Sequence, residues 1–342
     1  MPNILVVGGA GYIGTTLVLE LLKLEGYHVV VLDTFLYGEN VFHAYQGDRL
    51  TLHRGTMSNI PASLLSGMDV VVNLGGLSND PTANYNPQAN WELNHKAAIR
   101  LAQQCKSMNV PRYVFASSCS LYDRQGADES MDVLLTETAP ITPIGYYALA
   151  KYAAENDLLA MADDQFHVVI LRVGTVHGYS ERMRMDLVVN TMVADSLVKG
   201  YITLHGGGET WRPLVEVRDV AAMYLKAIRA EPDRVRNQIF NMVGQNLRIS
   251  EVGLRVQHVL QAHGVNTAIH TDYSRPASRN YRVSGEKAKT LLGFTSTISI
   301  EESVDRIVTH LKTWSFEELT HPRHFNIRWM TIFEEMGTAA SA

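Results

Sequence analysis

The chain has 342 residues, 46% of them hydrophobic and 19% charged, with a net charge of −5 at pH 7. That balance is ordinary for a soluble globular protein, and the length allows one large domain or two smaller ones. No block of like charge and no apolar run of membrane-spanning length occurs, so neither nucleic acid nor a membrane is expected as a partner. The two cysteines, Cys105 and Cys119, have neither metal nor disulfide spacing, which makes a reducing cytoplasm the expected compartment and leaves no metal site to expect. The N-terminus runs straight into a strand, without a basic stretch or a cleavage site, so no signal peptide is read.

Ile4-Leu5-Val6-Val7 reads as a buried parallel strand, Thr15–Leu24 as a helix and His28–Leu32 as a second strand ending at Asp33. This is a βαβ unit. Further strands are expected at Leu50–Leu52, Asp69–Asn73, Tyr113–Ala116, His167–Arg172 and Gln238–Val243, with helices at Trp91–Ser107 and Tyr147–Met161. Alternating strands and helices predict an α/β fold, a doubly wound parallel sheet covered on both faces. The division expected is a nucleotide-binding Rossmann domain over 1–175, an interleaved smaller lobe over 176–313, and a tail over 314–342. Gln238–Val243 returns to the sheet from within the lobe. The tail carries an amphipathic stretch, Phe325–Met336, to which the sequence assigns no role.

Gly8, Gly11 and Gly14 follow the first strand and open a helix, with Tyr12 and Ile13 between the last two. Lacking Cβ, such residues let the backbone approach a pyrophosphate that sits on the helix N-terminus. Asp33 stands at the second strand end, about 20 residues on, where a carboxylate accepts a ribose hydroxyl and repels a 2′-phosphate. With no Arg or Lys close behind it, NAD is expected rather than NADP. A strand-end Asp making a local turn is the plainer alternative.

Tyr147 and Lys151 are four apart on a helical segment and share a face. An adjacent ammonium lowers a phenol pKa, which suits tyrosine to proton transfer. Ser118, at a strand end, is placed to hydrogen-bond the same substrate oxygen. Among fifteen tyrosines a Tyr-x-x-x-Lys also arises by chance; the upstream Ser117-Ser118 and the glycine fingerprint give it weight.

On Gly8–Gly14, Phe115–Tyr122, Tyr147–Lys151, Leu171–Thr175 and Trp211–Asp219, the chain resembles the extended short-chain dehydrogenases/reductases of the nucleotide-sugar epimerase/dehydratase family over roughly 1–310. The resemblance implies a catalytic Ser118, Tyr147 and Lys151. For the cofactor it implies contacts at Gly8, Gly11, Tyr12, Ile13, Gly14 and Asp33, then Thr56, Met57, Leu74, Gly75 and Gly76, and again Tyr147 and Lys151. For a nucleotide diphosphate sugar it implies Ser118, Ser120, Thr175, Asn190, Arg212 and Arg275. Arg182, Arg184, Arg279 and Arg282 are further phosphate candidates, or ordinary solvated arginines. A homodimer through a four-helix bundle, supplied by the helices at Trp91–Ser107 and Tyr147–Met161, is also implied; those apolar faces are equally suited to internal core.

Family dehydratases carry Asp-Glu after the catalytic serine, decarboxylases a Glu at the second position, and 3,5-epimerases a cysteine there. This chain has Cys119-Ser120. That leaves chemistry needing one hydride and one proton: 4-epimerisation by transient C4 oxidation, or one-way C4 oxidation or reduction. A non-catalytic NAD(P)-binding regulator is a third possibility, opposed by the intact Tyr/Lys pair. Thr56-Met57, Asn73-Leu74-Gly75-Gly76 and Asp123 depart from the usual family residues and mark a divergent branch.

Overall fold

Ile4 and Val6 point to one side of the first strand and Leu5 and Val7 to the other, and all four are buried. Alternate side chains of a strand face opposite ways, so burial of both sets requires cover on both faces. The computed structural model describes residues 1–45, 47–123, 133–274 and 279–340. Its strands are β1 (Asn3–Val7), β2 (His28–Asp33), β3 (Leu50–Arg54), β4 (Val70–Asn73), β5 (Arg112–Ser118), β6 (His167–Val173), β7 (Thr175–His177), β8 (Tyr201–His205), β9 (Trp211–Glu216), β10 (Gln238–Met242), β11 (Gln245–Arg248) and β12 (Ala268–Asp272).

Seven of them form one parallel sheet in the order β10-β6-β5-β4-β1-β2-β3. The order reverses between β1 and β4, and a crevice opens at such a switch point beyond the strands' carboxyl ends. One face is packed by the helices Tyr12–Lys23 and Val217–Arg229. The other is packed by Ala98–Ser107 and Tyr146–Met161. The helix containing Ala98–Ser107 begins earlier than its apolar period suggests, at Pro87, and passes through a π-helical turn at Glu92–Ala97.

Two small sheets lie outside the large one. β11 and β7 flank β9, antiparallel and parallel respectively, and β12 pairs in parallel with β8. Their own core draws on Val189, Met192, Ile202, Val256 and Ile307. These short strands carry too little alternation to be read from the sequence. The C-terminal stretch is a helix, Asn326–Ala340, preceded by a short α-helix, Phe316–Thr320, and a 3₁₀ turn, Pro322–His324.

Candidate active site

The turn after β1 is shaped by its glycines. Gly8 has φ +76°, and a Cβ there would lie 2.8 Å from Gly75 N. A Cβ on Gly14 would overlap the Gly8 carbonyl oxygen and come within 2.7 Å of Gly9 Cα. The turn can therefore press against both the β4 loop and its own helix. Gly11 is the N-cap of the helix Tyr12–Lys23, with no side-chain cap and no acidic residue in the first turn. The first N–H groups of that helix are left for a ligand, and the helix dipole favours an anion.

Asp33 stands beside this turn. Its Oδ2 accepts the Ala10 N–H and its Oδ1 the Phe35 N–H, both at 2.9 Å. Burial holds its carboxyl above the ordinary range, against the pull of those N–H groups. Leu74, Gly75 and Gly76 follow β4; Leu74 N donates to Val7 O and Gly75 N to the Asn73 side chain. Met57 is buried against Gly75, and Thr56 beside it is exposed. Glycines that a Cβ would obstruct, an uncapped helix N-terminus and a strand-end carboxylate together fit a dinucleotide. Tyr12 is tied elsewhere by its side chain: its hydroxyl donates to Gly178 O at 2.6 Å, and its neighbour Ile13 packs against the core.

Ser118 ends β5, and Tyr147 and Lys151 lie one turn apart on the buried face of the helix Tyr146–Met161. The chain enters that helix through Gly145, at φ +85°. The Ser118 hydroxyl accepts the Ser120 N–H at 3.1 Å. Burial pushes the phenol up to about 12, while the charge of Arg184 and the Ser118 hydrogen bond pull it down. Lys151 Nζ lies 4.6 Å from the centre of the Phe115 ring and 5.9 Å from that of Tyr147. Burial pulls its own pKa down to about 7, opposed by Glu155. The expectation that the lysine is the group acidifying the phenol is thus revised: the cation lowering Tyr147 here is Arg184. Glu155, the next residue on that face, is held by Arg172 of β6 at 2.6 Å.

Cys119 is fully buried, its Sγ 3.1 Å from Arg172 O, and burial drives its thiol far up. Such a thiol is packing and not an acid or base. Ser120 is buried, and its hydroxyl has no partner among the described residues. Thr175 begins β7.

Across the cleft, Arg212 of β9 donates to the carbonyls of Trp211, at 2.9 Å, and Arg279. Arg279 pairs with Asp80 and faces Asp123 at 3.8 Å. Arg282 lies 4.7 Å over the Trp211 ring. Arg275 lies outside the described residues. Asn190 is fully buried: its Oδ1 accepts Gly178 N–H at 3.0 Å, and its Nδ2 donates to Arg184 O at 2.9 Å. Its amide is occupied inside the protein, well set to fix the loop that carries Arg182 and Arg184. Arg184 itself pairs with Asp186 at 2.8 Å.

Sequence reasoning gave no part to the C-terminal segment, yet it lies against the cleft. Asn326 Nδ2 donates to Ser78 Oγ at 2.9 Å, and its Oδ1 accepts from Arg182 Nη2 at 2.5 Å. Trp329 Nε1 donates to Leu36 O at 2.7 Å. These contacts join the loops after β2 and β4. No local motif signals them, because each partner is far away in sequence. Among the described residues no cluster of His, Cys, Asp and Glu is arranged for a metal, and no helix is long and apolar enough to cross a membrane.

Known proteins resemble this arrangement. A UDP-glucose epimerase of Bacillus subtilis (strain 168), named as uncharacterized, is 26% identical, over 91% of this chain and 98% of its own. UDP-glucuronic acid decarboxylase 1 of Xenopus tropicalis is 23% identical, over 93% of this chain and 73% of its own. The fold matches that of UDP-glucuronic acid 4-epimerase from Bacillus cereus, solved with UDP-glucuronic acid and NAD, at a TM-score of 0.80 and 23% identity, covering 91% and 99% of the two chains. The model of the NAD dependent epimerase/dehydratase family matches residues 4–242, well over half the chain, and the protein belongs to that family.

Proposed function

We propose that the protein is an NAD-dependent nucleotide-sugar 4-epimerase. The observation that carries this reading is the placing of Ser118 at the end of β5 and of Tyr147 and Lys151 one turn apart on the buried face of one helix, beside a Cys119 thiol buried against Arg172 O. Tyr147 is the proton carrier at the sugar 4-hydroxyl. Ser118 donates to the same oxygen and lowers the phenol pKa. Lys151, one turn from Tyr147 on the same buried face, holds the ribose side of the cofactor. Bound NAD supplies the hydride acceptor and donor.

Elimination or proton abstraction beside C4 requires a further acid or base. Asp80 and Asp123 stand at the cleft, but both face Arg279, and Cys119-Ser120 offers no carboxylate. The sugar nucleotide is assigned to the side of β9, with Arg212 toward its phosphates, since planar guanidinium suits phosphate oxygens. In this reading the two small sheets are the substrate lobe. Trp91, Tyr146 and Leu149 are exposed on adjacent helices, which supports a homodimer through those helices; sedimentation of wild type against Leu149→Glu tests it, with a shift to monomer expected.

The deciding experiment incubates the protein with nucleotide sugars in deuterated water, without added cofactor, and follows products by NMR. Inversion at C4 with no deuterium uptake is expected. Deuterium beside C4, or loss of water, would replace the epimerase with a dehydratase or 3,5-epimerase. Turnover only after nicotinamide is added would indicate a one-way oxidoreductase.

A further inference from the structure

Between the glycine-rich turn and the C-terminal segment lies a cavity of about 200 Å³, lined among others by Ala10, Tyr37, Arg182, Arg323 and the carboxylates Glu181 and Glu318. Sites for whole small molecules run to ~300–1,000 Å³. The cavity therefore suits a single group, such as a phosphate, in continuity with the cofactor cradle at Ala10. The family match ends at residue 242 and leaves the C-terminal lining unexplained.

Arg182 is only 8% exposed. Its guanidinium carbon lies 3.7 Å from the centre of the Tyr37 ring, its Nη1 donates to Met183 O at 3.4 Å, its Nη2 is held by Asn326 Oδ1, and its Nε has no partner among the described residues. The carboxylates nearby are engaged with other groups. Asp186 pairs with Arg184 at 2.8 Å, Glu318 with Arg323 and with His324 at 2.8 Å, and Glu181 accepts the Tyr179 hydroxyl at 3.1 Å. Arg182 feels the charge of Asp186 but shares it with Arg184, which holds that carboxylate in its ion pair; part of its charge and its Nε donor are thus left over in a buried setting, which a bound anion would satisfy.

We infer that Arg182, held in place by Asn326 of the C-terminal segment, binds a phosphate oxygen of the dinucleotide in this cavity. The segment thereby completes the cofactor site with side chains, where the glycine-rich turn supplies backbone. The inference rests on dinucleotide binding and deepens the cofactor side of the epimerase reading. It does not depend on which sugar is transformed.

The test is calorimetry on the full chain stripped of nucleotide, with ADP-ribose, adenosine and inorganic phosphate as probes. Arg182→Met should weaken ADP-ribose roughly 10- to 100-fold, the range of a charge-assisted hydrogen bond, and leave adenosine unchanged. Arg182→Lys should recover part of the loss, and Asn326→Ala should fall between. Equal weakening of adenosine would mean a merely structural role and overturn the proposal. So would undiminished ADP-ribose binding in Arg182→Met. Inorganic phosphate binding to ADP-ribose-saturated wild type, but not to the saturated variant, would mark a separate anion site and also overturn it. Failure of C4 inversion would sink the epimerase reading and leave these binding results standing.

Discussion

The glycine-rich turn and the C-terminal segment border the same cleft, yet they are built by opposite means. The turn works through backbone: glycines that admit close approach, and an uncapped helix end. The segment works through side chains, Asn326 and Trp329, reaching partners 248 and 293 residues away. Backbone recognition is compact and repeats its spacing, because geometry fixes which positions must lack Cβ. Side-chain recognition across a fold leaves no such spacing.

The sharpest way to break this comparison is at the chemistry between the two. Tyr147→Phe removes the only proton carrier in the proposed reaction. Turnover should fall about 10²- to 10⁴-fold, while the thermal midpoint stays close to wild type. A variant retaining most of its C4 inversion would remove Tyr147 from its role. The next largest effect concerns the scaffold beneath. Arg172 and Glu155 form a buried pair, 3% and 1% exposed, and Arg172 also donates to the Tyr122 hydroxyl at 2.6 Å. Arg172→Met leaves Glu155 buried without its partner and should cost about 3–5 kcal/mol in denaturant unfolding. The double variant with Glu155→Leu should recover much of that loss, since no unpaired charge remains.

Lys151 sharpens the comparison through pH. Its folded pKa, about 7, lies below the ordinary lysine value of 10.5. Between those values the unfolded chain binds the extra proton, so nucleotide-free protein should gain stability as pH rises from about 7 toward 10. Below pH 7 the lysine is charged in both states and its burial penalty is present in full. Lys151→Met should flatten that slope, an effect on the order of a few kcal/mol across the range. An unchanged slope in the variant would place the titration elsewhere.

Much of the fold was legible because the sheet strands are apolar runs punctuated by glycine and helix-forming segments, as in Ile4–Val7 and Val29–Leu32. Ser118, Tyr147 and Lys151 were legible as types at fixed spacing: Ser118 ends β5, and Tyr147 and Lys151 share the buried face of one helix. The electrostatics were not. Which cation lowers Tyr147 depends on how deeply Lys151 is buried and on where the loop after β7 carries Arg184, and both are set by tertiary packing. Asn190 reads as a polar residue free to meet a ligand; its complete burial against Gly178 and Arg184 follows only from how that loop folds back. The small strands β7 to β9 are too short for period to speak.

The smallest expected effect tests the C-terminal helix itself. Trp329 Nε1 donates to Leu36 O, and its ring stacks edge-on with Phe333 at 5.3 Å. Trp329→Phe keeps most of the apolar surface and deletes the one donor. A single neutral hydrogen bond contributes about 0.5–1.5 kcal/mol, so global unfolding should barely change. Local opening of the helix should become more frequent by roughly 2- to 12-fold, read as faster hydrogen exchange in 326–335 with β1 and β2 unaffected. The segment touches the sheet's loops through a few such bonds and not through the main core, so its stability is separable from that of the cradle it covers. If exchange instead quickened throughout β1 and β2, the helix and the sheet would open together, and the contrast between a rigid backbone cradle and an independently held side-chain wall would not hold.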